Sequence, residues 1–246
     1  MLIPLQIAHR SYAQNSKDVV LAPPAGKQLH IYSVEMYNGT GSAIDMGILK
    51  RVNLDSVNFY QTVVANTPDA TIANGVKTVA TKIFTTTIND GFLVQCASRF
   101  GMIGLNISTP STGGVFVVKY YNGSAYVTLT TLEVPTAFSA GTQLIVFAAP
   151  HDWVAGTTAG VGGDATKFSI LIQATTAPAN DVFANSLWVA DLMTFRTVSS
   201  STGVLKFSDI PPVKPLILAG GEGIQPYFSG TPSALNTIRV IYSVQE

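Results

Sequence analysis

The sequence predicts an all-β protein made of two antiparallel, jelly-roll-like β-sandwiches, one inserted in the other. Three observations carry this expectation. Apolar residues alternate with a period of two, Asn-Gly and Asp-Gly pairs punctuate the alternating runs, and no stretch longer than about ten residues keeps a helical stripe. Threonine, with 26 copies, points the same way, because its branched Cβ favours extended backbone over helix.

The elements follow in chain order. Leu29 to Tyr37 is a rich apolar run suited to a strand covered on both sides, and Asn38-Gly39 closes it. Leu54 to Val64 is the best helical candidate in the chain. Asn74-Gly75 and Asp90-Gly91 mark further turns. Val115 to Tyr121, then Asn122-Gly123, then Ser124 to Leu129 reads as a hairpin, since Asn-Gly accepts the positive φ values of a type I′ turn. Leu144 to Ala148 is apolar throughout and ends before Pro150; Phe168 to Ala174 alternates. In Thr237 to Val244, one face collects Ile238, Val240, Tyr242 and Val244, and the other carries Thr237, Arg239, Ile241 and Ser243, the pattern of a half-buried strand.

Two soft stretches suggest the domain limits. Thr85 to Gly91 reads as a linker, and Ala174 to Asn180 follows the strong strand at 168–173. Five strand candidates lie between them, enough for a compact sandwich. The expected layout is therefore an outer domain of residues 1–88 plus 180–246 and an inserted domain of residues 89–179.

Composition excludes several classes. The 246 residues carry 14 Lys+Arg against 14 Asp+Glu, a formal net charge of zero. Without a basic excess to neutralise phosphates, nucleic acid is not an expected partner. Charged residues make up 11% of the chain and hydrophobic ones 47%, far too apolar for disorder. The apolar runs from Phe100 to Val118 and from Val134 to His151 are interrupted by Pro and Gly, so no membrane span is expected either. The opening residues have no charged segment ahead of an apolar block, hence no signal peptide and an expected origin in the cytoplasm. Zero net charge leaves copies without mutual repulsion, which favours association.

Groups that could carry chemistry are sparse. Cys96, the single cysteine, sits in an apolar run and reads as a small buried hydrophobe. Of three histidines, His30 falls within a strand, while His151-Asp152 follows Pro150 but has no Gly-X-Ser-X-Gly elbow to serve; Trp153 beside it reads as a plug at a sandwich rim. Neither Gly156 to Gly163 nor Gly220 to Gly223 fits a phosphate loop. No catalytic residue, metal site or cofactor is therefore expected. Tyr120, Tyr121, Tyr126, Trp153 and Trp188 supply aromatic surface; of these Tyr121, Tyr126 and Trp188 are the candidates for a sugar-stacking platform.

Three segments resemble a known group. Val19-Val20-Leu21-Ala22-Pro23-Pro24-Ala25-Gly26-Lys27-Gln28-Leu29-His30-Ile31 resembles the opening of small tailed-bacteriophage virion β-sandwiches. Pro215-Leu216-Ile217-Leu218-Ala219-Gly220-Gly221-Glu222-Gly223-Ile224, with the alternating strand to Val244, is similar to their close. The middle, from Tyr120 through Pro150-His151-Asp152-Trp153 to Ile172, is similar to a sandwich module of phage head and tail accessory proteins. The resemblance covers about half the chain through strand and turn patterns and supports the insertion layout. It implies a non-enzymatic structural protein of the virion, a capsid decoration (cement) protein being the closest fit. The alternatives are a tail, neck or baseplate component and a carbohydrate- or receptor-binding module. The implied partners are the major capsid protein or other virion proteins, together with further copies of the chain. The expected contact residues are Leu2, Ile3, Leu5 and Ile7, apolar positions ahead of the first strong turn.

Overall fold

The computed structural model describes residues 5–12, 20–63, 67–69, 80–198, 203–207, 215–229 and 236–245. The described residues form seventeen strands and no α-helix. The chain divides into two compact units, the first of residues 1–53 and 191–246, the second of residues 54–190.

The first unit contains β1 (Gln6–Tyr12), β2 (Gln28–Asn38) and β3 (Ile44–Arg51). The second contains β4 (Val57–Val63), β5 (Thr67–Asp69), β6 (Thr81–Phe84), β7 (Gly91–Cys96), β8 (Met102–Thr109), β9 (Val115–Tyr121), β10 (Tyr126–Thr128), β11 (Gly141–Val146) and β12 (Phe168–Thr176). Strand β13 (Val182–Val198) begins in the second unit and ends in the first. The first unit is completed by β14 (Gly203–Phe207), β15 (Leu216–Leu218), β16 (Gly223–Phe228) and β17 (Asn236–Gln245).

In the first unit one sheet has the order β1-β17-β2-β14, with β15 also on β2, every pair antiparallel. β16 pairs with β3. The core is mainly aliphatic: Leu29, Ile31, Val34 and Met36 from β2 meet Met46, Ile48, Ile224, Ile238 and Val240, with Phe228 the one fully buried ring among them. The alternation read in 237–244 is what the strand displays. Ile238 and Val240 are fully buried, and Tyr242 and Val244 pack on the same cluster. This face survives a register shift because the extra residue is Tyr32 on β2, opposite the step from Ile241 to Tyr242. The Asn38-Gly39 turn is held by the Asn38 side chain, which donates to Ser42 O and Val198 O and accepts from the Thr40 amide and hydroxyl.

In the second unit one sheet has the order β10-β9-β12-β7-β4-β5, and a second layer comprises β11, β8, the first half of β13, and β6. Their facing sides interlock through aromatic rings. Phe84 lies 5.4 Å from Phe92, 4.5 Å from Phe116 and 5.1 Å from Phe138 between ring centroids. A second cluster surrounds Trp153, fully buried, with Phe100 at 5.1 Å and Phe168 at 5.5 Å. The outer face of the first sheet is covered by the segment 156–164. Leu93, Leu171 and Val161 form a small apolar cluster there, and buried Gln95 grips the Asp164 backbone, donating to its carbonyl at 2.9 Å and accepting from its amide at 2.8 Å. Cys96 is buried and free, and the nearest hydroxyls, Ser56 and Ser98, stand 3.9 Å from its sulfur.

Two local expectations are corrected, and the contacts group the chain differently from the expected domain layout. Within the expected helix Leu54 to Val64, the described residues 54–63 form one 3₁₀ turn, Leu54–Ser56, followed by β4, because the apolar residues Val57 and Phe59 alternate onto the buried side of the sheet. The hairpin at Asn122-Gly123 forms, but with a four-residue loop, since Tyr121 pairs with Tyr126. Asn122 keeps a negative φ and uses its side-chain oxygen to accept from the amides of Ser124 and Ala125, which replaces the type I′ geometry. The division of the chain falls at 53/54 and 190/191 instead of 88/89 and 179/180. β4 pairs with β7 and β6 with β13, which places residues expected outside the insertion within it. Asn74-Gly75 lies outside the described residues.

Candidate functional site

Two places combine exposure with defined geometry, one in each unit. In the first unit, β1 is the end strand of its sheet among the described residues. Alternation along it sends Ala8 onto the aliphatic core and leaves Leu5 62% and Ile7 63% exposed. Ile7 sits opposite Ile241 on β17. Farther across the same outward face, Ile217 of β15 stands opposite His30 and is 47% exposed. A charged row crosses the sheet nearby: Glu35 pairs in register with Arg239 on one side and Lys206 on the other, with Lys206 Nζ 3.0 Å from the carboxylate. Tyr37 donates a 2.7 Å hydrogen bond to Glu35. That bond, then Lys206, holds the carboxyl below its ordinary value. The outward face is thus apolar at one end and ionic at the other. Of the expected contact residues, Leu5 and Ile7 lie here, while Leu2 and Ile3 fall outside the described residues.

In the second unit, a groove of about 430 Å³ opens where the β9–β10 edge meets the segment 148–152. Tyr120, Thr128, Thr130 and Asp152 supply its polar side, and Leu132 and Pro150 its apolar side. The Tyr120 phenol donates to both carboxylate oxygens of Asp152, at 3.0 and 3.1 Å. Desolvation and this bond raise the phenol above its ordinary value, so it remains a donor at neutral pH. The loop is anchored from behind: Arg99 donates to the carbonyls of His151 and Trp153 and lies over the Phe168 ring. The His151 and Asp152 side chains are exposed and line the groove, whereas Trp153 turns inward as the expected plug.

The three residues expected to form one sugar platform are not brought together. Tyr121 and Tyr126 do pair across the hairpin, with ring centroids 5.7 Å apart. They pack against the 156–164 segment: a Cβ at Gly156 would lie 2.4 Å from the Tyr121 ring, and the Tyr126 hydroxyl bonds to Thr157. Trp188 is in β13, 8% exposed, with its indole pressed on Gly104, where a Cβ would come within 2.1 Å. A platform needs one open ring face; here two rings serve packing and the third is buried. Tyr120, one position away from Tyr121 and therefore on the opposite side of β9, faces the groove instead. His30 lies in the central strand β2 opposite Ser243, whose hydroxyl is bonded by Tyr32 and Gln245.

Among the described residues no group of three or more His, Cys, Asp or Glu side chains converges as a metal site, and no helix is long and apolar enough to cross a membrane. Compared with known proteins, the chain matches no family model, no curated protein and no solved structure.

Proposed function

We propose that this chain is a non-enzymatic structural protein of a bacteriophage virion, a capsid decoration or cement protein that binds the outer shell and ties neighbouring capsid subunits together. The observation that carries the reading is the apolar outward face of the end strand β1. Leu5 and Ile7 are more than half exposed beside a strand edge, where unburied apolar surface and unpaired backbone groups favour a neighbour. The rigid antiparallel frame, the uncharged composition and the segments that resemble phage virion sandwiches support the same role. The partner is the major capsid protein. Repetition of the contact over a symmetric shell lets a small interface hold many copies in place.

The test is the double variant Leu5→Asp with Ile7→Asp, added to purified shells that lack the protein. Full burial of each side chain contributes roughly 1.5–3 kcal/mol, so occupancy at limiting concentration drops at least ~10-fold while the far-UV spectrum stays that of the parent. Unchanged occupancy, or a label found only on tails of intact particles, overturns the capsid assignment.

A further inference from the structure

We propose that the groove at the rim of the second unit is a binding site for a neutral saccharide, with Asp152 and Tyr120 as its hydrogen-bonding centre. This goes beyond the virion reading and stands apart from it, since the groove and the β1 strand share no residue.

The first argument is hydrogen-bond capacity. A carboxylate offers about four acceptor positions, and the Tyr120 phenol, shared between the two oxygens of Asp152, leaves the outward ones open. What suits those positions is a ligand bringing donors. Thr130, exposed at the same rim, adds a hydroxyl that both donates and accepts, and His151 stands at the same mouth. A saccharide carries donor and acceptor hydroxyls around its rim, so it can satisfy all of these at once.

The second argument is the sign of the charge. The residues lining the groove include Asp152 and no Lys or Arg. A phosphate, sulfate or carboxylate ligand would therefore meet an anion without a counter-charge, and a divalent cation would find a single carboxylate with no second acidic side chain in the lining to share its charge. A neutral polyol meets neither obstacle.

The third argument is shape and rigidity. Leu132, 47% exposed, and Pro150 form an apolar wall against which the C–H face of a sugar ring can lie. The volume, about 430 Å³, falls in the roughly 300–1,000 Å³ range of small-molecule sites. Arg99 fixes the carbonyls on either side of Asp152, and Trp153 is locked between Phe100 and Phe168. The carboxylate is therefore held in place before a ligand arrives, which lowers the entropy cost of binding.

The test is saturation-transfer NMR on the full chain with glucose, galactose, mannose, rhamnose and N-acetylglucosamine, and with glucuronate and sialic acid as anionic counterparts. At least one neutral sugar receives transfer. Hydrogen bonds to an ionised group set the scale, so Asp152→Ala weakens its binding ~10-fold or more and Asp152→Asn less, with the melting temperature unchanged. Leu132→Glu places a charge on an exposed wall position, where the fold tolerates it, and also weakens binding. Tyr121→Phe, on the opposite side of β9, leaves binding as it is. No transfer from any neutral sugar overturns the proposal, as does transfer from the anionic sugars only, or binding that survives both Asp152→Ala and Leu132→Glu.

Discussion

The two units build their interiors from different material. The first closes an aliphatic core between β2 and strands from the far ends of the sequence, with β17 paired to both β1 and β2. The second closes around aromatic clusters and tucks a polar-anchored segment, 156–164, over the back of its own sheet. Aromatic rings fill a large volume with few residues and prefer tilted or edge contacts, which fixes one arrangement. A sheet of aliphatic strands is more permissive, and in the first unit it ends in a strand that leaves Leu5 and Ile7 exposed. The difference separates two jobs. Under the proposed function, shape retention would belong to the second unit, whose groove needs fixed walls, and adhesion to the first, where Leu5 and Ile7 are exposed.

The sharpest way to break this comparison is to remove the aromatic plug. Trp153→Ala takes a fully buried indole from between Phe100, Phe147 and Phe168, and substitutions of that kind cost about 3–5 kcal/mol. Ile31→Ala in the aliphatic core costs about 2–5 kcal/mol, with more of the loss recovered by collapse of the pliable neighbours. Amide exchange followed by mass spectrometry separates the two: Trp153→Ala lowers protection across 80–190, Ile31→Ala across 28–51 and 236–245. Equal losses of protection in both units from either variant would abolish the distinction.

A smaller effect probes how the second unit holds its covering segment. Gln95→Leu keeps the volume but leaves the Asp164 N–H without its partner and its C=O with the longer bond from the Lys167 amide alone. Unmet backbone groups of this kind cost about 1–3 kcal/mol. The expected result is faster exchange and proteolysis within 156–164, with the first unit unaffected. Unaltered protection there would mean that the apolar cluster of Leu93, Val161 and Leu171 holds the segment without the amide.

The same contrast explains what could be read from the sequence. Period-two alternation identifies strands because each residue reports its own face, so the all-β class and the buried side of 237–244 were legible. The limits of the two units were not. The stretches 85–91 and 174–180 have the composition of linkers, yet they bond to one another: Asn89 N–H donates to Ala174 O at 2.9 Å, Ala174 N–H to Asp90 O at 2.8 Å, and Gln173 to Asn89 O. Composition shows that a segment is a loop, but not which other loop meets it. By contacts the second unit gives way to the first at 190/191, inside β13, an unbroken strand with no punctuation to mark the change. The groove was hidden for a related reason. Tyr120 and Asp152 lie 32 positions apart on different elements, and only the fold brings them together, while the tyrosine that looked equivalent, Tyr121, points the other way.

The smallest expected effect is electrostatic, and it has opposite signs in the two units. In the first, Glu35 is held below its ordinary value by Tyr37 and then Lys206. A carboxyl lowered on folding stabilises above its unfolded value and loses that contribution as pH falls through the folded one. Lys206 is half-exposed and the pair is screened by water, so the contribution stays below about 1 kcal/mol. In the second, Asp90 is fully buried, and burial raises its carboxyl above the ordinary 3.8 despite amide donors from Thr85 and Gly91. A raised carboxyl does the reverse: its contribution is complete below the unfolded value and is lost as pH rises through the folded one. Glu35→Gln therefore flattens the acid-side loss of stability in the first unit. Asp90→Asn removes the loss that the second unit suffers as pH climbs from 3.8. Urea midpoints measured over the acid range, with exchange assigning each change to its unit, should move in opposite directions for the two variants. Parallel pH profiles would show that the buried carboxyl of the aromatic unit is as well compensated as the paired one on the aliphatic sheet.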